Sequence, residues 1–384
     1  MPCTFDHEEY PVSTIRWTES NSHRRARWHS ESAVPSPARV VVADDRTRAD
    51  LAYRLACEGT AMLWRGDFHN ARHLLRAMDR HLARAPRPQA GGPAETFRLH
   101  RRARGHRARV LGRLLVLLED DHRLDLRRAP DVRRACAQAY GPPSEPTAVS
   151  LTELLGVLGA YQWRRNGVWV PALAAPIHPH YGVFSPVRGE YIDLVARAPL
   201  PTSTVCRTAF DIGTGTGVLA AVLARRGFDR IVATDIGPRA LACARDNIRR
   251  LGLADRVDVL GPALFPAGRA DLVVCNPPWI PARPTSTVEQ GVYDPGSAML
   301  RGFLDGLTAH LAPGGEGWLV LSDLAERLEL RAHGELSAAI ESAGLYVVDR
   351  IDTRPRHARV RDVTDPLHIA RAAEVTSLWR LAGG

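Results

Sequence analysis

Asn276 begins the segment Asn-Pro-Pro-Trp, whose residue types suit the binding of a planar nitrogen. The Asn276 side-chain oxygen and the Pro277 carbonyl are two acceptors for the two hydrogens of an amide or exocyclic amino group. Pro278 stiffens the loop without an N–H that would compete for those acceptors, and Trp279 offers a flat face for stacking. The segment predicts a site that orients a planar nitrogen toward an electrophile, and a rigid turn without chemistry is the alternative.

A glycine-rich turn lies upstream of this segment. A strand candidate at 209–212 leads into Gly213, Gly215 and Gly217, and an apolar helix candidate follows. Glycine lets the chain turn tightly and lets a cofactor approach the backbone. A dinucleotide fingerprint needs its third glycine one position later, where this chain has Val218, so the spacing disfavours NAD.

Polar residues extend this predicted cofactor site. Asp211 precedes the turn, and Thr214 and Thr216 lie within it. Asp235 ends the second strand candidate, where a carboxylate can accept both hydroxyls of a ribose. A helix cap is the alternative role for Asp235.

Strand–helix alternation after residue 201 predicts a parallel sheet. The strand candidates are 209–212, 231–234, 257–260, 272–275, 318–322, 346–349 and 375–379. The helix candidates between the earlier strands are 218–226, 239–251 and 301–311. Asn276 then directly follows the fourth strand, at the carboxyl edge where open α/β sheets bind ligands.

The first half of the chain has a different pattern. Residues 1–45 are polar and without periodicity, which predicts a flexible arm. Apolar spacing over residues 46–165 predicts an all-α domain that recognises a substrate or partner, with a capping box at Ser150–Glu153. Residues 166–190 predict a β-hairpin linker with strands at 168–170 and 181–184, and residues 191–384 predict the sheet domain.

Composition is that of a globular protein: 45% of the residues are hydrophobic and 24% are charged. The chain contains no lysine, and the formal net charge is +9. Residues 1–200 carry the whole excess, with 30 Arg and 21 acidic residues, so this half could attract an acidic partner. The Arg- and His-rich run at 98–109 could contact phosphates, although a solvated helix face is the more usual explanation.

The six cysteines are scattered and form no Cys-x-x-Cys pair, so we predict neither a metal site nor a disulfide framework. No apolar run is long enough for a membrane-spanning helix, and the first residues lack the apolar stretch of a secretory signal. We therefore expect a cytoplasmic protein without a membrane partner. The sequence does not predict the oligomeric state.

Residues 166–380 resemble class I S-adenosylmethionine-dependent methyltransferases, in particular the release-factor glutamine methyltransferase family. The resemblance rests on the Gly-x-Gly-x-Gly turn, the acidic residue after the second strand and the Asn-Pro-Pro-aromatic motif. Residues 292–307 also look like that family's Glu-Pro…Ala-Leu…Gly…Asp-Gly-Leu stretch. The family has a counterpart for the helical amino-terminal domain and hairpin as well.

The resemblance implies an α/β fold with a Rossmann-like seven-stranded sheet and S-adenosylmethionine as cofactor. It implies that Asn276 to Trp279 hold the substrate nitrogen, while the glycine turn, Asp235 and Asn276 contact the cofactor. Two residues depart from the family pattern: Trp279 replaces a tyrosine, and Ala263 replaces an acidic residue near the adenine. Adenine recognition would then depend on backbone atoms, Leu264 or water.

These features predict N-methylation of a planar amide or amino nitrogen. We favour a protein, a peptide with a glutamine-like amide or an amide-like small molecule as substrate. A nucleic-acid base methyltransferase, docked through the basic first half, is one alternative. A non-catalytic module that binds S-adenosylmethionine is the other.

Overall fold

The computed structural model describes residues 13–84, 91–201, 207–356 and 358–384. The chain divides into two compact units. The amino-terminal unit comprises Met1–Pro88 and Arg101–Tyr161, and the carboxy-terminal unit comprises Gln89–His100 and Gln162–Gly384.

The amino-terminal unit is a mixed α/β structure. Its elements are β1 (Thr14–Glu19), β2 (Ser22–Trp28), β3 (Val40–Ala43), α1 (Ala49–Cys57), β4 (Ala61–Trp64), α2 (Phe68–Ala83), α3 (Pro93–Leu111), β5 (Leu114–Leu118), α4 (Arg133–Tyr140), β6 (Thr147–Ser150) and α5 (Leu151–Asn166). The strands form one sheet in the order β1-β2-β6-β5-β4-β3. Helix α3 begins in residues of the carboxy-terminal unit, and α5 ends in them.

The prediction of an all-α domain over 46–165 is wrong, because β4, β5 and β6 lie within it. The strands at Ala61–Trp64 and Leu114–Leu118 are short, continuous apolar runs, whose periodicity cannot be told from that of a buried helix. The flexible arm is also wrong for residues 13–45, which contain β1 to β3; residues 1–12 lie outside the described part of the chain.

Only the Ser150 half of the predicted capping box is confirmed at the start of α5. The Glu153 backbone N–H donates to Ser150 Oγ at 3.1 Å. The Glu153 side chain does not reach back to the cap. It accepts instead from the Tyr140 hydroxyl and from the Glu31 backbone N–H, so it joins three segments of the amino-terminal unit.

The carboxy-terminal unit is built around a seven-stranded sheet. Its elements are β7 (Val168–Val170), β8 (Ala175–Ile177), α6 (Glu190–Arg197), β9 (Thr208–Ile212), α7 (Val218–Arg225), β10 (Arg230–Thr234), α8 (Pro238–Arg250), β11 (Val257–Leu260), β12 (Ala270–Cys275), α9 (Ala298–His310), β13 (Leu311–Ser322), α10 (Leu324–Arg327), α11 (Glu335–Ser342), β14 (Leu345–Thr353), α12 (His368–Ala372) and β15 (Thr376–Gly383).

The strand order is β11-β10-β9-β12-β13-β15-β14. The first five strands are parallel, and β15 runs antiparallel to both of its neighbours. The chain winds outward from β9 through β10 to β11 and then returns to β12 beside β9. This reversal makes the carboxyl ends of β9 and β12 the expected ligand crevice. The predicted α/β fold with a Rossmann-like seven-stranded sheet is confirmed.

Hydrophobic layers cover both faces of this sheet. Alternate residues of β9 divide between them: Ala209 belongs to the cluster with α6, α7 and α8, whereas Phe210 and Ile212 belong to the cluster with α9 and α11. The sequence from Val218 to Ala224 is apolar on every side of α7, and each of these residues is buried. The turn between β9 and α7 is therefore held between two rigid elements.

The hairpin ahead of the sheet is shorter than predicted. Strand β7 pairs with β8 at Ala175–Ile177, and residues 181–184 are not a strand. Pro176, opposite Trp169, lies in β8. Proline normally indicates a turn, but a two-stranded ribbon tolerates it because every strand there is an edge strand.

A separate apolar cluster, the capping cluster, lies in the carboxy-terminal unit beyond the main core. Its buried members are Phe97, Ile280, Tyr293, Leu324, Leu328 and Leu367, and Trp279 packs against it. Phe97 comes from the first turns of α3, and its ring lies 6.4 Å from that of Tyr293. None of the described helices is long and apolar enough to cross a membrane.

Candidate active site

The glycine turn has the backbone geometry that its sequence predicts. Gly213, Gly215 and Gly217 have φ angles of 72°, 55° and 81°, in the left-handed region that glycine adopts most readily. A Cβ atom on Gly217 would lie 3.2 Å from the Cα of Ala244 in α8. The turn therefore packs closely on the next helix while exposing peptide groups at the carboxyl end of β9.

Asp211 stabilises this turn through hydrogen bonds. Its carboxylate is buried, and Oδ2 accepts from the Thr214 hydroxyl at 2.6 Å and from the Ala220 backbone N–H at 2.9 Å. These bonds join the end of β9, the turn and the first part of α7. Asp211 thus orders the turn, and its assignment as a cofactor contact remains a prediction.

Thr214 and Thr216 are also largely buried. The Thr214 backbone N–H donates to the Thr234 carbonyl, and the Thr216 carbonyl accepts from the Asn247 side chain. Each bond ties the glycine turn to β10 or α8. Both threonines therefore stiffen the turn through its neighbours.

Asp235 joins two turns at the carboxyl edge. Its Oδ2 accepts from the Gly215 N–H at 3.0 Å, and its Oδ1 accepts from the Gly237 N–H at 2.8 Å. The residue is partly exposed at the end of β10. Each carboxylate oxygen keeps a second lone pair, so this side chain can also accept hydroxyl groups from a ribose.

The loop after β11 closes against the same strand end. A Cβ atom on Gly261 would lie 2.5 Å from the Asp235 carbonyl, so only glycine fits there. The Leu264 carbonyl accepts a hydrogen bond from the Thr234 hydroxyl. The Leu264 side chain packs against Gly302 of α9. Backbone groups of this loop thus lie next to Asp235, and the Ala263 side chain adds no polar group.

Asn276 lies beside the glycine turn. Cys275 of β12 pairs with Ile212 of β9, so the next residues, Asn276 and Gly213, leave neighbouring strands at the same edge. Adjacent strands are about 4.8 Å apart. The two predicted sites therefore face one crevice.

The motif loop has an internal hydrogen bond that its sequence did not predict. The Trp279 indole N–H donates to Asn276 Oδ1 at 2.9 Å. A carbonyl oxygen has two lone pairs, so one acceptor position on Asn276 stays available. The bond orients the carboxamide, and both residues are only partly buried.

The geometry agrees with comparisons to known proteins. Residues 175–347 match the family model of the methyltransferase small domain. This match identifies a methyltransferase domain within the carboxy-terminal unit. The predictions of a methyltransferase and of S-adenosylmethionine as its cofactor are confirmed at the level of this domain, and the release-factor glutamine methyltransferase family stays a prediction.

Curated relatives match part of the chain. The ribosomal protein L11 methyltransferase of Vibrio vulnificus is 35% identical over 118 residues, which cover 27% of this chain and 40% of that protein. The release factor glutamine methyltransferase of Cereibacter sphaeroides is 33% identical over 171 residues, which cover 40% and 59%. The match thus spans between two and three fifths of these relatives.

Among solved structures, the ribosomal protein L11 methylase of Lactobacillus delbrueckii subsp. bulgaricus gives a TM-score of 0.34 at 17% identity. That match covers 50% of this chain and 77% of the other.

The buried Asp211 of the methyltransferase domain makes its stability depend on pH. Burial raises the pKa of Asp211 to about 6, against the lowering effect of its bonds to Thr214 and Ala220. Between about pH 4 and pH 6 the folded state keeps a proton that the unfolded chain releases. The contribution of Asp211 to the free energy of unfolding therefore falls as the pH rises through this range, by about 3 kcal/mol.

We expect Asp211→Asn, which cannot ionise, to gain stability relative to the wild type as the pH rises. Urea unfolding of both proteins at pH 4, 5, 6 and 7 measures the difference. It should grow by about 2 to 3 kcal/mol over this range and level off near pH 7, above the raised pKa. A difference that stays constant with pH would show that Asp211 titrates normally.

Three residues that the sequence did not indicate lie around the motif and the glycine turn. The methyl group of Met299, at the start of α9, fills the space that a Cβ atom on Gly213 would need. The Arg188 guanidinium lies 5.8 Å from the centre of the Trp279 ring. Arg188 also pairs with Glu374 at 3.3 Å, across 186 positions of sequence. No local motif identifies such a pair.

The histidines near the hairpin hold the linker to α8. His178 Nδ1 lies 2.7 Å from the Arg164 carbonyl, and its backbone N–H donates to Asn247. His180 Nε2 lies 2.9 Å from Asp246 Oδ2. Burial lowers the pKa of His180, which favours its neutral form. These contacts give both residues a structural role.

The cysteine that precedes the motif is not a nucleophile. Cys275 is fully buried at the end of β12. Burial raises the pKa of its thiol well above the usual range, and the nearby carboxylates of Asp211 and Asp294 add to the effect. A thiol that stays protonated is unreactive.

Proposed function

We propose that this protein transfers the methyl group of S-adenosylmethionine to a planar nitrogen, with an amide of a protein or peptide as the favoured acceptor. The carrying observation is that Asn276 and Gly213 leave adjacent strands at one edge, through the pairing of Cys275 with Ile212. The proposed acceptors also include a small molecule with an amide-like group.

Asn276 and Pro277 provide the acceptors in this proposal. The free lone pair of Asn276 Oδ1 and the Pro277 carbonyl bind the two hydrogens of the nitrogen and favour lone-pair development toward the crevice. Trp279 stacks against the planar group and holds the Asn276 carboxamide through its indole N–H. Pro278 keeps the loop rigid.

The residues of the glycine turn and Asp235 fit the cofactor. The backbone from Gly213 to Gly217 would approach it without side chains, Asp235 would bind the ribose, and the loop that contains Leu264 would border the adenine. The cofactor supplies an electrophilic methyl group on a sulfonium. A nitrogen becomes acidic once it is methylated, so the site needs no strong base.

Two observations favour a protein amide. The names of the relatives specify a ribosomal protein and the glutamine of a release factor as their substrates. The two groups of the motif that are proposed to contact the substrate nitrogen are both hydrogen-bond acceptors. They suit an uncharged carboxamide, which carries two N–H donors.

The test is a methyl-transfer assay with the full chain, S-adenosylmethionine labelled in the methyl group and three acceptors. These are N-acetyl-glycyl-glutamine methylamide, a mixed-sequence oligoribonucleotide and adenosine. We expect a mass increase of one methyl group on the glutamine side chain alone. Methylation of the oligonucleotide only would overturn the amide assignment, and cofactor binding without transfer to any acceptor would indicate a binding module.

A nucleic-acid substrate is the second candidate, because one face of the β1–β2 hairpin is cationic. Arg16 lies directly opposite Arg25, and Thr14 lies opposite Arg27. In the described part of the chain, no acidic side chain pairs with these three arginines. Like charges opposite each other are destabilising, and phosphates would relieve the repulsion. Oligonucleotide retention that falls steeply with salt, and that Arg16→Ser with Arg25→Ser removes, would support this candidate.

A further inference from the structure

Several buried polar atoms of the methyltransferase domain have no hydrogen-bond partner. They include Arg331 Nη1, His368 Nδ1 and Glu374 Oε2. The three residues lie in connections that follow β13 or precede β15, where Ser322 pairs with Thr376 at the carboxyl edge. More than nine in ten buried polar groups are paired in native proteins. Buried polar atoms that the protein itself leaves unpaired are candidates for contact with a polar ligand.

Glu374 is the most firmly held of these residues. Its side chain is wholly buried, and Oε1 accepts from the Ser322 hydroxyl at 2.7 Å. Ser322 Oγ accepts in turn from the Leu324 N–H. The backbone N–H of Val375, which follows Glu374 in the chain, donates to the Asp323 carboxylate. The carboxylate is thus fixed at the end of β13, with one oxygen bonded and the other unpartnered.

Arg188 connects Glu374 to the motif. Its guanidinium pairs with Glu374 Oε1 at 3.3 Å and lies over the ring of Trp279, whose indole N–H bonds to Asn276. The Arg188 side chain is 24% exposed, whereas that of Glu374 is not exposed at all. Arg188 therefore lies between the motif and Glu374 and is the more exposed of the pair.

The cofactor does not account for the unpartnered oxygen. The predicted cofactor contacts lie at β9, β10 and the loop after β11, whereas Glu374 adjoins β13 and β15 on the far side of Asn276. Burial raises the pKa of Glu374, and Arg188 opposes that shift. A buried carboxylate oxygen without a donor is costly, and a hydrogen bond from a ligand to Oε2 would reduce that cost.

We propose that Glu374 and Arg188 form a second substrate subsite, in which the partly exposed Arg188 side chain shifts and Glu374 Oε2 then accepts a hydrogen bond from a backbone-type N–H of the substrate. The proposal rests on the proposed function, because it assumes that the methylated nitrogen binds at Asn276. The substrate then carries two amide groups: one at the motif, and one whose N–H reaches Glu374 beside Arg188. A glutamine or asparagine within a peptide has both, whereas an isolated carboxamide has only the first.

The experiment is a binding cycle on the complex with S-adenosylhomocysteine. The probes are N-acetyl-glycyl-glutamine methylamide and the same compound with every backbone nitrogen methylated, so that only the side-chain N–H groups remain. Calorimetry gives the affinity of the wild type and of Glu374→Gln for each probe. We expect the variant to bind the first probe about tenfold more weakly and to discriminate little between the probes.

Two further variants separate recognition from structure. Ser322→Ala removes a bond to Oε1 and leaves Oε2 unchanged, so the wild-type preference between the probes should persist. Glu374→Ala should lose that preference as Glu374→Gln does. The melting temperature and the affinity for S-adenosylhomocysteine confirm that each variant is folded.

The outcomes distinguish the two proposals. Binding with the expected loss of preference, but without methyl transfer, supports the subsite and overturns the amide methyltransferase. An unchanged preference in both Glu374 variants overturns the subsite whatever the transfer assay gives. Failure of the wild type to bind either probe overturns both.

Discussion

Asn276→Ala is expected to reduce methyl transfer by about two to three orders of magnitude, the usual effect of removing one preorganised hydrogen-bond group from a transition state. The substitution removes one of the two acceptors for the substrate nitrogen and leaves the Trp279 indole N–H without its partner. The cofactor contacts on β9 and β10 remain. The affinity for S-adenosylhomocysteine should therefore change by no more than about twofold. A tenfold change would correspond to about 1.4 kcal/mol of binding free energy, so the expected change is well below that amount.

The measurement combines methyl transfer to the glutamine probe with calorimetry of S-adenosylhomocysteine. Val288→Ala is the matched control, because Val288 follows the motif in an exposed position and belongs to none of the apolar clusters. It should retain wild-type transfer. Full activity in Asn276→Ala would rule out the assigned role of the carboxamide.

Asp235→Ala is expected to weaken S-adenosylhomocysteine binding by at least about tenfold, since hydrogen bonds to a charged acceptor contribute about 1.5–3 kcal/mol each. The loss has two parts. The ribose loses its acceptor, and the Gly215 and Gly237 N–H groups lose the carboxylate that joins their turns. The first part lowers affinity directly, and the second lowers it through a less ordered glycine turn.

Calorimetry at fixed salt measures this effect, and Asp258→Ala supplies the control. Asp258 lies on the neighbouring strand β11 and is exposed, and among the described residues it pairs only with Arg230, at 3.4 Å. Its removal should leave the dissociation constant unchanged. Equal constants for wild type and Asp235→Ala would contradict the ribose assignment.

The sheet domain was predictable because local signals and topology agree there. The glycine turn, the acidic strand end and the Asn-Pro-Pro-Trp segment each mark the carboxyl end of a strand, and parallel sheets bring such ends together. The amino-terminal sheet was not predictable in the same way, since β4 and β5 are four and five residues long and carry no alternation. A short apolar strand between helices has a sequence pattern that cannot be told from the apolar face of a helix.

The side chains behind the motif were beyond sequence reasoning for a different reason. Arg188 and Glu374 are ordinary charged residues in their local segments, and only the fold brings them together. The bond from Trp279 to Asn276 is local, but the indole also suits stacking alone. The motif therefore predicts the proposed nitrogen chemistry better than it predicts what else the proposed substrate must contain.

Phe97 limits where this chain can be divided into separate folded fragments. It precedes the amino-terminal sheet strands β5 and β6 in the chain, yet its ring fills the capping cluster beside Ile280 and Tyr293. A fragment that starts at residue 162 contains every strand of the seven-stranded sheet but lacks this ring, so apolar surface next to Trp279 would meet solvent. The methyltransferase unit is thus completed by a segment that the amino-terminal half of the sequence provides, and separating the two at the apparent boundary would damage the edge at which we propose that the substrate binds.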